Sequence, residues 1–165
     1  KQWSGTTAPL YSIAEGLVLG AISAIFEAQY PGIVIQAVGL TLGTLASLLF
    51  LYKTGIVKPT ENFRLMVTSA TMGIAMLYLV SMLMNMFGSG GIGFIHSTGL
   101  FGIGFSLFVV GIAALNLVLD FDFIEQGSEM GAPKYMEWFG AFSLMVTLIW
   151  LYLEMLRLLA KLRSR

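Results

Sequence analysis

Cysteine is absent from this sequence, and charged residues are scarce. Without cysteine there is no disulfide framework and no thiolate metal site. Charged residues make up 11% of the chain, whereas soluble domains carry about 25%. Hydrophobic residues make up 57%, and a soluble fold could not cover its surface with so few charges. Nine basic and nine acidic residues balance, so nothing favours nucleic acid as a partner. The composition predicts an integral membrane protein whose main partner is the lipid bilayer.

The apolar residues form five runs that are long enough to cross a bilayer, for which about 20 residues are needed. Backbone groups in lipid must be bonded internally, so these runs predict helices and not open strands. We expect one all-α transmembrane bundle over residues 1–165, with helices at about 9–28, 33–52, 63–87, 99–125 and 134–161. Pro9 suits the start of the first helix, Thr60 suits the N-cap of the third, and a polar turn is expected at 127–133.

The loop charges give mixed signals about orientation. Lys53, Lys58 and Arg64 place the loop between the second and third spans in the cytoplasm by the positive-inside rule. The loops at 29–32 and 88–99 contain no lysine or arginine and therefore fit the outside. Five crossings then put the C-terminus outside as well. The opposing signal comes from four bases near that terminus: Arg157, Lys161, Arg163 and Arg165.

Ionisable groups within the spans are the first functional candidates, because an Asp, Lys or Arg at a helix centre costs about 2.5–3.5 kcal/mol on insertion scales. Glu15 lies inside the first predicted helix. It is either a carboxylate of an ion pathway or ion pair, or an interfacial residue that reaches water. Both readings stay open from the sequence.

Asp120 and Asp122 lie at the end of the fourth span. Two residues apart on a helix, they point to nearly opposite faces, so only one can face the bundle interior. Asn116 is one turn before Asp120 and shares its face, which predicts that these two form the inward polar pair. Asp122, with Glu125 and Glu129, is expected to form a solvated acidic end.

The last predicted helix carries a second polar group. Glu154 and Arg157 are three residues apart and therefore adjacent on the helix surface. They predict an intrahelical ion pair, or alternatively an Arg157 that pairs with a carboxylate on another helix. Thr147 is seven residues before Glu154 and shares its face.

Several familiar motifs are absent or out of context. The stretch 88–93 matches G-x-G-x-x-G, but that motif binds dinucleotides between a strand and a helix, and here it joins two membrane spans. His96 is the sole histidine, and one imidazole makes a poor zinc site. There is no His-Glu-x-x-His and no Gly-x-Ser-x-Gly. We therefore expect no enzyme, no cofactor and no bound metal.

Four stretches together resemble the bacterial Bax inhibitor-1/YccA family, whose members are also called transmembrane Bax inhibitor motif proteins. They are YSIAEGLVLGAIS at 11–23, YPGIV at 30–34, NLVLDFDFIE at 116–125 and WLYLEMLR at 150–157. The resemblance covers essentially the whole chain. It implies a seven-helix fold of which this chain has helices three to seven, so we expect an N-terminally incomplete sequence.

The resemblance also implies a pH-sensitive calcium leak through the membrane. Its switch would be a pair of aspartates on the last two helices that share one proton. Asp120 matches the first aspartate of this pair. The position of the second falls on Thr147, which cannot titrate and puts the switch in doubt, with Glu154 as a substitute. Arg157 matches a basic position that in relatives pairs with an acid on the second helix, so here its candidate partners are Glu15 and Glu154.

The resemblance therefore implies a multi-pass protein of a bacterial plasma membrane that acts as a cation leak pathway. Asp120, Asn116 and Glu15 are the predicted ion or proton groups, and Arg157 with Glu154 forms the gating or ion pair. The alternative is a non-conducting protein that binds another membrane protein and modulates a membrane protease or a stress response.

Overall fold

The computed structural model of the chain describes residues 4–55, 60–88 and 100–164. These residues form five helices, namely α1 Ser4–Gln29, α2 Ile33–Thr54, α3 Glu61–Met86, α4 Leu100–Glu129 and α5 Tyr135–Ser164. Each is long and apolar enough to cross a membrane. The predicted all-α membrane bundle is confirmed.

Local sequence features set the end of α2 and the start of α3. The Thr60 side chain accepts a hydrogen bond from the Phe63 backbone N–H at 3.1 Å, so its predicted role as the N-cap of α3 is confirmed. Gly55 ends α2 with a φ of 80°, a conformation that glycine adopts without a steric penalty. Its N–H donates to the carbonyl of Tyr52 at 3.2 Å.

Two expected boundaries were wrong. α1 begins at Ser4, so Pro9 lies inside the helix rather than at its start. Because the proline is still close to the helix N-terminus, it interrupts the backbone bonds only at their beginning. α4 continues through Gly127 to Glu129, and the chain turns only at Gly131, whose φ is 67°.

The helices alternate in direction, as consecutive spans joined by short loops must. We call the end where α1, α3 and α5 begin the proximal end, and the opposite end the distal end. α5 lies at the centre and contacts α1, α2 and α4, with its largest contact on α4. α3 packs mainly against α4. The α4–α5 contact, called here the α4–α5 seam, therefore runs through the middle of the bundle.

One apolar cluster joins α2, α4 and α5, and a second, smaller one joins α3 and α4. The fully buried members of the first cluster include Ile33, Leu117 and Leu151. Large apolar side chains on the outside remain exposed, for example Leu17 at 74% and Ile35 at 78%. A soluble protein of this size would rarely leave so much apolar surface in contact with water. This outer surface suits the bilayer.

Candidate functional site

Asp120 lies in the proximal part of the α4–α5 seam. The Ser143 hydroxyl of α5 donates to Asp120 Oδ1 at 2.9 Å. Asp120 Oδ2 is buried and has no hydrogen-bond partner among the residues that the structure describes. A buried acceptor that is left unsatisfied carries the desolvation penalty of that group, about 1–3 kcal/mol. Such an atom is a candidate position for a ligand or water that supplies a hydrogen-bond or ionic partner.

Thr147 is the second hydroxyl that faces this carboxyl from α5. It lies one helical turn after Ser143, and its Oγ1 donates to the Ser143 carbonyl at 3.2 Å. The structure therefore places Thr147 opposite Asp120, at the position where the resemblance to the Bax inhibitor-1 family implies an aspartate. The Asp120 carboxyl therefore faces the hydroxyls of Ser143 and Thr147, whereas the resemblance implies a second carboxyl opposite it.

The predicted inward pair of Asn116 and Asp120 is wrong. Asn116 Nδ2 donates to Thr71 Oγ1 of α3 at 2.9 Å and to the Ile112 carbonyl at 2.9 Å. Asn116 thus faces α3, while Asp120 faces α5. The reason is that α4 packs against both α3 and α5. Asn116 lies on the part of its surface that faces α3, and Asp120 lies on the part that faces α5.

The predicted solvated acidic end is also wrong for Asp122. Its carboxylate pairs with Arg64 of α3 and accepts from Gln126 Nε2 at 3.0 Å. Its side chain is only 16% exposed. Glu125 accepts a hydrogen bond from the Tyr52 hydroxyl of α2. Asp120 and Asp122 do point to different helices, as their spacing predicted.

Glu15 lies away from the Asp120 site. It is half-buried and interacts with Tyr11, one turn earlier on its own helix. Tyr11 in turn packs edge-on against Phe142 of α5, with ring centroids 5.0 Å apart. In the described part of the chain, Glu15 is therefore associated with the α1–α5 contact and does not join Asp120.

Glu154 and Arg157 form the intrahelical ion pair that the sequence predicted, at 3.5 Å between Arg157 Nη1 and Glu154 Oε1. The sequence did not predict the third member, Tyr78 of α3. Arg157 Nη1 donates to the Tyr78 hydroxyl at 2.9 Å, and that hydroxyl donates to Glu154 Oε1 at 3.0 Å. The guanidinium also lies over the tyrosine ring, 5.2 Å from its centroid. Within the described part of the chain, Glu154 Oε2 is buried without a hydrogen-bond partner.

Lys161 is a buried base that sequence reasoning counted only as one of four bases near the C-terminus. It is 5% exposed, and its Nζ donates to Ser106 Oγ at 2.7 Å and to the Gly102 carbonyl at 3.3 Å. The signal that could have revealed it is the spacing of seven residues from Glu154, which puts both on one face of α5.

Among residues 4–55, 60–88 and 100–164, no group of three or more His, Cys, Asp or Glu side chains could hold a metal ion. His96 and the glycine-rich stretch after Gly88 lie outside the described residues.

Five apolar spanning helices with ionisable groups turned into the bundle define a multi-pass membrane protein. The family model described as "Bax inhibitor 1 like" matches residues 1–164. The chain belongs to the Bax inhibitor 1-like family. Searches of curated proteins and of solved structures find no match.

Proposed function

We propose that this protein provides a pH-sensitive leak pathway for cations, with calcium as the permeant ion, across the plasma membrane. The observation that carries the proposal is Asp120 Oδ2, a buried carboxyl oxygen for which the described residues supply no hydrogen-bond partner. The proposal assigns no catalytic step and no resident cofactor to the protein.

The chemistry around Asp120 suits a hard cation. Calcium prefers oxygen ligands such as carboxylates, hydroxyls, carbonyls and water. The Asp120 carboxyl supplies the negative charge, and the hydroxyls of Ser143 and Thr147 lie beside it. This is too few ligands for tight binding. A pathway needs weak binding, since an ion that is held tightly does not leave.

The proposed pathway would be closed by apolar packing next to Asp120. On the distal side of Asp120, the α4–α5 seam is filled by the fully buried side chains of Ala113, Leu117 and Leu151. An apolar constriction of this kind excludes water and blocks ions. Conduction therefore requires α5 to shift relative to α4. Such a shift would break the hydrogen bond between Ser143 and Asp120.

Proton sensitivity follows from the same carboxyl. A proton on Asp120 removes the charge that attracts the cation, so acid should reduce the flux. Since Thr147 stands where a second carboxyl is implied, the response should follow one proton and not two.

The test is calcium entry into liposomes that contain the purified protein and an encapsulated calcium indicator. We expect flux in the wild type, a fall with acid, and a loss of most flux with its acid response in Asp120→Asn. The control is Glu129→Gln, which removes an exposed carboxyl at the end of α4 and should leave the flux unchanged. Flux that is absent, or equal in wild type and Asp120→Asn, would refute the proposal.

A second candidate function is that of a non-conducting partner of another membrane protein. A groove of about 380 Å³ lies between α2 and α4, and small residues, including Gly39, Gly43 and Ser47, line part of it. Small residues let membrane helices approach closely. This alternative predicts co-purification with a membrane protein that Gly43→Leu abolishes and Asp120→Asn leaves intact.

A further inference from the structure

We propose that Arg157 binds the headgroup phosphate of an anionic phospholipid where α3 and α5 face each other in the distal half of the bundle. We call this place the α3–α5 junction and define it by Tyr78 of α3 together with Trp150 and Arg157 of α5. The inference goes beyond the proposed cation pathway and does not depend on it, because it concerns the contact between the protein and the bilayer.

The α3–α5 junction has an open outer side. Both helices pack against α4, but within the described residues their backbones do not pack against each other, and α3 packs against no helix other than α4. Side chains bridge the space between them. The Tyr78 hydroxyl donates to Glu154 Oε1 at 3.0 Å, and Trp150 packs against the smaller apolar cluster of α3 and α4. The outer side of these bridging side chains therefore faces the lipid.

Arg157 is only partly engaged by its protein partners. Its side chain is 36% exposed, whereas that of Glu154, with which it forms an ion pair, is 4% exposed. Both hydrogen bonds that Arg157 makes within the described residues come from Nη1. These residues supply no hydrogen-bond partner for Nε and Nη2. The guanidinium, held over the Tyr78 ring, therefore has donors available for a ligand.

The depth of Arg157 in the bilayer follows from the length of α5. The helix has 30 residues and is about 45 Å long, whereas the hydrocarbon core of a bilayer is about 30 Å thick. Arg157 is seven residues before Ser164, where α5 ends, a distance of about 10 Å along the axis. With the excess length shared between both surfaces, Arg157 lies within about one helical turn of the hydrocarbon boundary. An arginine at this depth extends its guanidinium to the lipid headgroups.

A phospholipid phosphate matches what this guanidinium lacks. A cation that is partly exposed at the edge of the hydrocarbon is costly without a counter-charge, and the planar fork of N–H donors in arginine fits the oxygens of a phosphate. Basic groups between membrane helices bind anionic headgroups in this way. An acyl chain would then lie along the apolar side of α5 below Arg157. Trp150 and Val146 lie there, about two and three turns deeper on the same face, and Val146 is 38% exposed.

The position of Trp150 allows a direct test by fluorescence. The chain has three tryptophans, so Trp3→Phe and Trp138→Phe leave Trp150 as the sole emitter in a background used for every sample. This protein is reconstituted into phosphatidylcholine liposomes that contain increasing fractions of phosphatidylglycerol with brominated acyl chains, which quench a neighbouring indole. Brominated phosphatidylcholine is the reference. We expect phosphatidylglycerol to bind about fivefold more tightly than phosphatidylcholine, the size expected for one arginine near anionic lipid.

Three variants in this background separate lipid binding from a structural role of Arg157. Arg157→Gln should remove the preference for phosphatidylglycerol, and Arg157→Lys, which keeps the charge but loses the planar fork, should retain part of it. Glu154→Gln should raise the preference above the wild type, because the guanidinium then lacks its protein counter-charge. A purely structural role predicts instead that Glu154→Gln and Arg157→Gln act alike, since each breaks the same ion pair.

Two controls test the specificity of the site. Arg163→Gln removes an exposed base near the same end of α5 that donates to Gln36 Oε1 at 3.1 Å, outside the junction, and should keep the wild-type preference. Inorganic phosphate added to the buffer should not displace the brominated phosphatidylglycerol, because a soluble anion lacks the acyl chain.

Several results would overturn the inference: equal binding of both lipids to the wild type, an unchanged preference in Arg157→Gln, or a preference that Arg163→Gln also removes. Displacement by inorganic phosphate would assign the site to a soluble anion and overturn the lipid assignment. If Arg157→Gln alters quenching by phosphatidylcholine as well, the double variant of Glu154→Gln with Arg157→Gln, which leaves neither charge unpaired, decides. A preference that persists there overturns the inference, and its loss supports it. No calcium flux is measured, so each result is independent of the proposed pathway.

Discussion

Asp120 and Glu154 each have one buried carboxyl oxygen that lacks a hydrogen-bond partner among the described residues, yet their surroundings differ. Asp120 faces the neutral hydroxyls of Ser143 and Thr147. Glu154 is tied to Tyr78 and Arg157 in a connected network. A charge without a fixed counter-charge can attract a mobile ion, whereas a charge inside an ion pair mainly holds helices together. The comparison supports the proposed role of Asp120 in attracting ions and indicates that Glu154 mainly holds helices together.

The separation between these two regions matters as much as their chemistry. Ser143 and Glu154 are eleven residues apart, which places them about 16 Å apart along α5. The fully buried side chains of Leu117 and Leu151 belong to the apolar cluster between them. If this cluster is the structural centre of the bundle, disturbing it should have a larger effect on stability than disturbing either polar region.

The largest expected effect is therefore that of Leu151→Ala. Replacing a fully buried leucine by alanine leaves a cavity and costs about 2–5 kcal/mol of unfolding free energy. Thermal or denaturant unfolding in detergent micelles would measure the loss, with Leu17→Ala on the exposed face of α1 as the matched control. A loss of unfolding free energy below about 1 kcal/mol would contradict the tight packing described for the α4–α5 seam. Only loosely packed surroundings can fill the space that the leucine side chain leaves.

A smaller effect separates the two carboxyls directly. Glu154→Gln should lower the free energy of unfolding by about 1–3 kcal/mol, since it leaves Arg157 without its counter-charge. Asp120→Asn should change stability much less, because its Oδ1 can still accept from Ser143 and no base depends on it. The same unfolding assay measures both variants. Equal losses would break the comparison and show that Asp120 is also mainly structural.

The smallest effect is expected at the proximal surface. Arg64 pairs with Asp122, and the Arg64 side chain is 42% exposed. Exposed ion pairs contribute about 0–1 kcal/mol, so Arg64→Gln should reduce the unfolding free energy by no more than that. The reduction should shrink further at high salt, where such pairs are screened. A salt-independent loss of several kcal/mol would show that this pair, and not Glu154, is the main polar tie between α3 and the rest of the bundle.

The bases near the C-terminus also look different once the fold is known. Counted along the sequence, Arg157, Lys161 and Arg163 oppose the orientation that the short loops predict. In the structure, Arg157 binds Tyr78 and Glu154, Lys161 is buried against α4, and Arg163 binds the α1–α2 turn. A charge that is bound within the bundle is not equivalent to a free loop charge when orientation is inferred from the sequence.

The sequence was sufficient to predict five spanning helices, because spanning depends on the local density of apolar residues. It was also sufficient to single out Asp120, Glu154 and Arg157, since ionisable residues within apolar runs stand out. The pairing of Glu154 with Arg157 followed from a spacing of three residues on one helix. These are local properties, and no knowledge of helix packing is needed to read them.

Tertiary structure decided the partners. The sequence paired Asn116 with Asp120 on one face, but α4 lies between α3 and α5, and each residue turns to a different neighbour. Likewise, nothing in the local pattern placed Tyr78 beside Glu154, or turned Lys161 inward while Arg163 turned outward. Helical periodicity fixes the angle between two side chains on one helix, whereas their contacts depend on where the neighbouring helices lie. For this protein, the sequence determined which groups are available within the membrane, and only the packing of α3, α4 and α5 decided which of them meet.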